Sequence, residues 1–461
     1  MVIFKKNLIE SSLFYQAMKI KTTNYQFITN TKLDKRLCIG IDIELPDRTI
    51  LNTGAIVQLH PIAYFENKVP EETFGMLFLS AIVYAIDRSV KRDKYSIDGW
   101  SREFDAYIQI PHSVIFQQNK EKIDSLLSFL TGDYWKCSFV GDATIKYPKY
   151  KACSYFEGIS QVNLFSGGLD SLIGAIDYMT LNPSGKLFLS SHYDSDMNGP
   201  NSDQEKLKAH FALEYPKHYI HLPAILVKPK LSIETSCRSR SFMFISLALI
   251  VAVYSNCNII IPENGSVSLN FPLSTSRRAS CSTRTTHPVF IKRFQELLQL
   301  LGFSTRLINP YEKQTKGEMV ANCANKDFLF RIVGDSNSCG KRGMHQFFYD
   351  NHHATHCGHC MPCMYRKASL IGETDKTTYG NKFSTLFFKR GYKVAEDFYA
   401  MLEFLKKDLT RDQIRRELNI AGMSSFSDIE EYIDLVFRTR TELSNMLKAD
   451  KNSVIDKYMG W

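Results

Sequence analysis

The residues with the clearest chemical purpose form the run Ser166-Gly167-Gly168-Leu169-Asp170-Ser171. An apolar, strand-like stretch, Val162 to Phe165, leads into it, and a helix-like apolar pattern from Leu172 leads out, which is the layout of an anion cradle at a helix N-terminus. Gly167 and Gly168 carry no Cβ to block close approach, while successive backbone N–H groups and the helix dipole supply positive potential. Ser166 and Ser171 add hydroxyls. Asp170 is chemically out of place beside a polyphosphate unless a hard cation such as Mg²⁺ lies between the two charges. The run therefore implies a metal-bound nucleotide, with Ser166 through Ser171 as its contacts and Asp170 as the catalytic carboxylate. It lacks the Gly-Lys-Ser/Thr ending of a Walker A loop.

A second constellation lies late in the chain. Cys357-Gly-His-Cys360-Met-Pro-Cys363 sets three thiols at two-residue intervals, and Cys339 upstream completes a tetrahedral set. Zinc is the expected metal, although iron–sulfur clusters use the same spacing. His345, His352, His353, His356 and His359 crowd the segment, and any one is able to replace a cysteine. Four thiolates leave no open position for water, which points to a structural metal. The other seven of the 11 cysteines are scattered and are assigned no chemistry.

These groups need elements to hold them. From residue 160 the chain alternates strand-like runs (Gln161 to Phe165, Lys186 to Ser190, His221 to Val227, Asn258 to Ile261, Arg306 to Ile308) with helix-like ones (Leu169 to Thr180, Asp203 to Glu214, Ser241 to Tyr254, Pro288 to Leu301). That order predicts an α/β domain with a doubly wound parallel sheet, whose ligands lie beyond the carboxyl ends of the strands. Residues 1–157 mix β-like and helix-like runs, predicting an N-terminal α+β domain of unknown role, with the polar stretch Tyr147 to Glu157 as linker. The nucleotide domain with its zinc segment is expected over 158–390. A helical C-terminal extension is expected over 391–461, either a solvated tail or a docking surface for a partner.

At 461 residues, 44% hydrophobic and 23% charged, the chain has the composition of a globular protein with large cores. Its net charge of +9 suits anionic ligands and discriminates weakly among them. The opening Met1-Val2-Ile3-Phe4-Lys5-Lys6 is not followed by an apolar core of signal-peptide length, so a cytoplasmic protein is expected. Phe242 to Tyr254, the longest apolar stretch, falls short of the roughly 20 residues that span a bilayer and reads as a buried helix.

The glycine-rich run resembles the Ser-Gly-Gly-x-Asp-Ser motif of the PP-loop ATP pyrophosphatases. That resemblance implies the adenine nucleotide alpha hydrolase-like (HUP) fold and cleavage of ATP to AMP and pyrophosphate. Together with Cys339 and the Cys357-x-x-Cys360-x-x-Cys363 cluster, followed by Arg366, it resembles the 7-cyano-7-deazaguanine synthases, the QueC family. Cys237-Arg238-Ser239-Arg240-Ser241-Phe242 is similar to the family's arginine segment, and Thr315-Lys316-Gly317-Glu318 to its Thr-Lys-x-Glu segment. The match spans roughly Ile159 to Gly372. The large N-terminal region departs from the housekeeping members, as do His192-Tyr193-Asp194-Ser195, Pro262-Glu263-Asn264-Gly265, Arg277-Arg278 and Arg284-Thr285-Thr286-His287-Pro288. In these features the chain is more similar to the QueC-like proteins of antiphage operons, the QatC type and the CBASS-associated type.

The resemblance implies that a 7-deazaguanine carboxylate is adenylated with ATP, Mg²⁺ and Zn²⁺ present. Positive groups must then offset the repulsion between carboxylate and phosphate, and Arg238, Arg240, Arg284 and Lys316 are the candidates. The first two and Lys316 are expected on ATP, Arg278 and Arg284 on the substrate, with Lys316 and Arg284 catalytic. Glu263 suits the N–H edge of a guanine-like base, Asn264 its carbonyl, and His287 suits deprotonation of an attacking amine. Each has a plainer alternative as a turn, surface or structural residue. The amine acceptor is expected on a partner protein, and neither membrane nor nucleic acid is expected. An ammonia-using synthase, a tRNA-modifying PP-loop ligase and a non-catalytic nucleotide sensor stand as alternatives.

Overall fold

Alternating apolar residues place Met18, Ile20, Leu37, Ile39, Ile41, Ile43, Ala55 and Val57 in the core. In the computed structural model they belong to three consecutive antiparallel strands, β1 (Met18–Thr31), β2 (Asp34–Glu44) and β3 (Ile50–Gln58). The structure describes all residues except 1–16, 32–33, 148–155, 195–199, 217, 222–223, 274–283 and 374. Strands β4 (Glu103–Ile108) and β5 (Tyr134–Phe139) extend this sheet, parallel to β1 and to each other. The outward N–H groups of Trp135, Cys137 and Phe139 on β5 donate to Ser128 Oγ, Asp124 Oδ1 and Gln117 Oε1 of the preceding helices. That sheet edge is thereby closed to further strands.

The second half supplies β6 (Gln161–Leu164), β7 (Leu187–Ser190), β8 (His192–Tyr193), β9 (Tyr219–His221), β10 (Ile225–Pro229), β11 (Ile259–Ile260) and β12 (Leu307–Ile308). Five of them form an all-parallel sheet in the order β12-β11-β6-β7-β9, with helices at Leu169–Leu181, Pro200–Glu214, Arg240–Tyr254 and Pro288–Leu300. The chain is thus α/β with a mostly parallel central sheet. The expected strand His221 to Val227 is instead two strands in different sheets. Pro223 lies between them in sequence and has no N–H to offer a ladder.

That split joins the halves of the chain. β10 pairs antiparallel with β3, Val227 opposite Val57, so the first sheet runs on past residue 157 into the second half. Helix Glu71–Ser89 lies on β3 and β10, helix Arg240–Tyr254 lies on β6, β7 and β11, and the two helices pack on each other. Both are buried on nearly every side and mostly apolar, as suits a helix clamped between layers. The C-terminal segment joins the same core. Tyr432, Ile433, Leu435, Val436, Leu443 and Met446 of helix Ile429–Ala449 are buried, against helices Gly265–Leu269 and Met361–Ser369. This helix is therefore not a solvated tail. Among the described residues, no helix is long and apolar enough to cross a membrane.

Candidate functional site

β6 delivers the chain into Ser166–Ser171 at the carboxyl end of the parallel sheet, and helix Leu169–Leu181 starts after Gly168, which has no side chain to cap it. Gly167 has φ +84°, the left-handed region that a side chain disfavours. Ser166 Oγ accepts the Gly168 N–H at 3.3 Å, and Ser171 Oγ donates to the Gly168 carbonyl at 3.0 Å. The segment before the first cluster cysteine closes over the loop. The Asn337 N–H donates to the Gly167 carbonyl at 2.9 Å, and the Leu169 N–H donates to Ser338 Oγ at 3.2 Å. A Cβ on Gly174 would stand 2.5 Å from Pro262 Cβ, so the glycine lets this helix seat the loop directly against Pro262-Glu263.

Beneath the loop lies a buried polar knot. Lys316 Nζ donates to Asp170 Oδ1 at 2.5 Å, and Asn264 Nδ2 donates to Asp170 Oδ2 at 2.7 Å. Burial opposes the Asp170 charge, but the Lys316 ammonium and these hydrogen bonds outweigh it and hold the carboxyl below its ordinary range. The Glu263 carboxyl is hydrogen-bonded to the same Asp170. Burial, and then the Asp170 charge, push it well above its ordinary range. Glu263 therefore rests as a neutral carboxyl that donates to Asp170, rather than as the free carboxylate expected for recognising a base edge.

Both ends of the chain hold this knot in place. Lys316 opens a helix whose Thr315–Glu318 capping box is complete, and Arg438 of the C-terminal helix pairs with Glu318 at 2.6 Å. Glu442 on the same helix accepts the Gly317 N–H at 3.3 Å and the Thr315 hydroxyl. From the N-terminal side, Asp87 Oδ2 accepts the Ser239 N–H at 3.1 Å and its hydroxyl at 2.8 Å. Asp87 belongs to a fully buried charge network with Arg92, Arg102 and Asp133. This fixes the start of helix Arg240–Tyr254, and with it Arg240.

These pieces enclose a cavity of about 670 Å³. The loop, Glu263 and Lys316 line it, joined by Asp203, Cys237, Arg240 and, from the cysteine segment, Ser338, Cys339 and Arg342. Arg240 Nε is buried with no hydrogen-bond partner, and no ion pair of Arg240 occurs among the described residues. With Glu263 neutral, three cations (Arg240, Lys316, Arg342) face two carboxylates (Asp170, Asp203), an excess that favours an anionic ligand.

The Sγ atoms of Cys339, Cys357, Cys360 and Cys363 all lie within 4.8 Å of one another, with Cys357 and Cys363 3.8 Å apart. A tetrahedral zinc with Zn–S near about 2.3 Å needs sulfurs about 3.8 Å apart, so the set fits one ion, whereas a multi-iron cluster needs a wider cage. Cys339 Sγ accepts the Cys357 N–H, and Cys357 Sγ accepts those of His359 and Cys360, as thiolates do. The five histidines are not needed as ligands; buried His356 accepts the Ser338 N–H, and His359 bonds Asn381. Arg366 is buried and donates to Ser336 Oγ and the Val333 carbonyl, bracing the segment that leads to Ser338.

Several expected site residues are not brought to the cavity. Arg238 stacks on Trp100 and donates to the Thr131 carbonyl. Arg284 stacks on Phe129 and donates to its carbonyl. His287 is the cap of helix Pro288–Leu300, its Nδ1 accepting the Val289 N–H. Burial, then Arg284, push its pKa down to about 3, and the ring sits in the helix cap outside the cavity lining, where it has no reach to an amine in the cavity. Arg278 lies outside the described residues. Conversely, Asp203, Ser338 and Arg342 reach the cavity without having been expected. For the last two, adjacency to Cys339 was the available signal, since a cluster that anchors Cys339 also anchors its neighbours.

Fold and site together define an α/β protein with a polar, cation-rich cavity beside a four-cysteine cluster compatible with zinc. The chain matches no family model, no curated protein and no solved structure.

Proposed function

We propose that this protein is a QueC-like, ATP-dependent amide ligase that adenylates the carboxylate of a 7-deazaguanine and passes it to an amine. The observation that carries this reading is the meeting of two segments 146 residues apart, Ser166–Ser171 and Thr315–Glu318, at the buried Asp170–Lys316 pair. A carboxylate oxygen of the substrate attacks the α-phosphorus of ATP, the bond to the β-phosphate oxygen breaks, and pyrophosphate leaves. The amine nitrogen then attacks the acyl carbon, AMP leaves with the electrons of the carbon–oxygen bond, and a proton is lost from nitrogen. Lys316 and Arg240, which has no ion pair among the described residues, supply charge against the developing negative charge on phosphorus. In this reading Asp170 would be the carboxylate that shares Mg²⁺ with the phosphates, and the ion would offset their charge. Glu263 lines the cavity and, with its one O–H given to Asp170, keeps a carbonyl oxygen to accept an N–H of the base edge, whereas Asn264 is fully buried beneath it and holds Asp170 instead.

The acceptor in this reading is an amine on a partner protein in an antiphage system, an α-amine in preference to a lysine because its lower unperturbed pKa leaves more of it neutral. The zinc is structural. Incubation with ATP, Mg²⁺ and 7-carboxy-7-deazaguanine tests the first step: AMP and pyrophosphate are expected from wild type and not from Lys316→Ala. Absence of AMP from wild type refutes the ligase. Intact-mass measurement of co-expressed operon partners, with Asp170→Ala as control, tests the second. Release of free 7-cyano-7-deazaguanine with unmodified partners would assign the ammonia-using reaction instead.

A further inference from the structure

Arg342 lies three residues past Cys339, on the arm that the cysteine cluster anchors, and both it and Asp203 line the cavity. Its guanidinium grips Asp203 bidentately, Nη2 to Oδ1 at 3.0 Å and Nη1 to Oδ2. Asp203 stands directly over the loop: a Cβ on Gly167 would be 3.5 Å from Asp203 Cβ. The same arm bonds the loop through Asn337 and Ser338. Neighbouring Lys341 instead pairs with Asp397 at 3.5 Å, so of two adjacent cations only Arg342 faces the cavity.

An anion seated in the loop would meet the Asp203 carboxylate as a like charge, and Arg342 is the group positioned to offset it. A guanidinium has five N–H donors, and the grip on Asp203 uses two. The remainder suffice to bridge to a phosphate oxygen without releasing the carboxylate. We propose that Arg342 is a pyrophosphate-contacting residue delivered by the cysteine arm, with Asp203 as the positioning residue that presents it and weakens binding of the bare anion. The ligand class is a polyphosphate, ATP on entry and pyrophosphate on release, so the inference rests on the nucleotide reading above.

The two residues make opposite predictions, which a merely structural latch does not. Equilibrium binding of MgATP and of inorganic pyrophosphate to the full chain is measured for wild type, Arg342→Gln, Arg342→Lys, Asp203→Asn and the double variant, with zinc content and melting temperature confirming that each is folded. Arg342→Gln is expected to weaken both ligands about tenfold, the loss of one charge-assisted contact. Arg342→Lys restores part of this, because charge survives without the fork. Asp203→Asn is expected to tighten pyrophosphate binding, through removal of a like charge. If Arg342→Gln binds as wild type does, or if Asp203→Asn weakens binding as much as Arg342→Gln, the pair is a latch and the proposal falls. A wild type that binds neither ligand overturns the nucleotide reading itself, and the inference with it.

Discussion

Acid should unfold this protein through three buried histidines. His192 and His356 have no exposed surface, and His287 is almost wholly buried. His287 Nδ1 and His356 Nε2 accept the N–H groups of Val289 and Ser338, which only a neutral ring can do, while His192 Nε2 donates to the Val227 carbonyl at 2.8 Å, a bond that favours the charged ring but is outweighed by burial. Burial, and then a nearby arginine (Arg240, Arg284 and Arg366 respectively), push all three pKa values down to about 3. In the unfolded chain they titrate near about 6.5. Between these values the unfolded state binds more protons, so stability rises with pH; the contribution is complete above about 6.5 and drains away below it. At pH near 5 each histidine forfeits about 2 kcal/mol, and three forfeit about 6, comparable with the whole stability of an ordinary domain. Urea melts between about pH 7 and pH 5 measure the loss. Because the cluster thiolates also protonate in acid, the clean quantity is the difference between wild type and His287→Asn, which keeps a capping acceptor but no titrating ring. The variant should retain about 2 kcal/mol that wild type loses at pH 5. Identical pH slopes, or a buried histidine resonance titrating near its free value, would refute the reasoning.

Lys316→Met should cost about 3–5 kcal/mol, because it strands the Asp170 charge in a buried site, and adding Asp170→Asn to the same chain should restore most of that loss in a urea melt. Elemental analysis should find about one zinc per chain. Chelation or Cys360→Ser should lower the melting temperature and, because Cys339 and Arg342 line the cavity, weaken MgATP binding in the protein that remains folded; iron with a visible absorption band would reverse the metal assignment.

Local chemistry was legible without the structure wherever it depends on neighbours in sequence. The Ser166–Ser171 turn announces itself because glycine and serine have few other reasons to stand between a strand and a helix. The cysteine set does so because two-residue thiol spacing brings sulfurs to one point on the backbone's own geometry. Helices Leu169–Leu181 and Pro288–Leu300 fell within a residue of expectation for the same reason, since their caps and apolar periods are local. Lys316 was legible only through its motif; nothing about a lysine at that position says which carboxylate it meets.

What the amino-acid order determined by itself was the set of elements and the chemistry of two short segments. The tertiary structure decided which cations matter. Arg238, Arg240, Arg284 and Arg342 are the same side chain in loops or at a helix start, but two are stacked on Trp100 and Phe129 and two face the cavity. It also decided the role of the chain's ends: Asp87 and Glu442, some 150 and 125 residues from the Ser239 and Gly317 they hold, make the N- and C-terminal regions the frame of the cavity. The physical reason is that a buried charge or unpaired donor must find its partner wherever the fold supplies one, and that partner is set by sheet pairing and helix packing over the whole chain, not by sequence proximity.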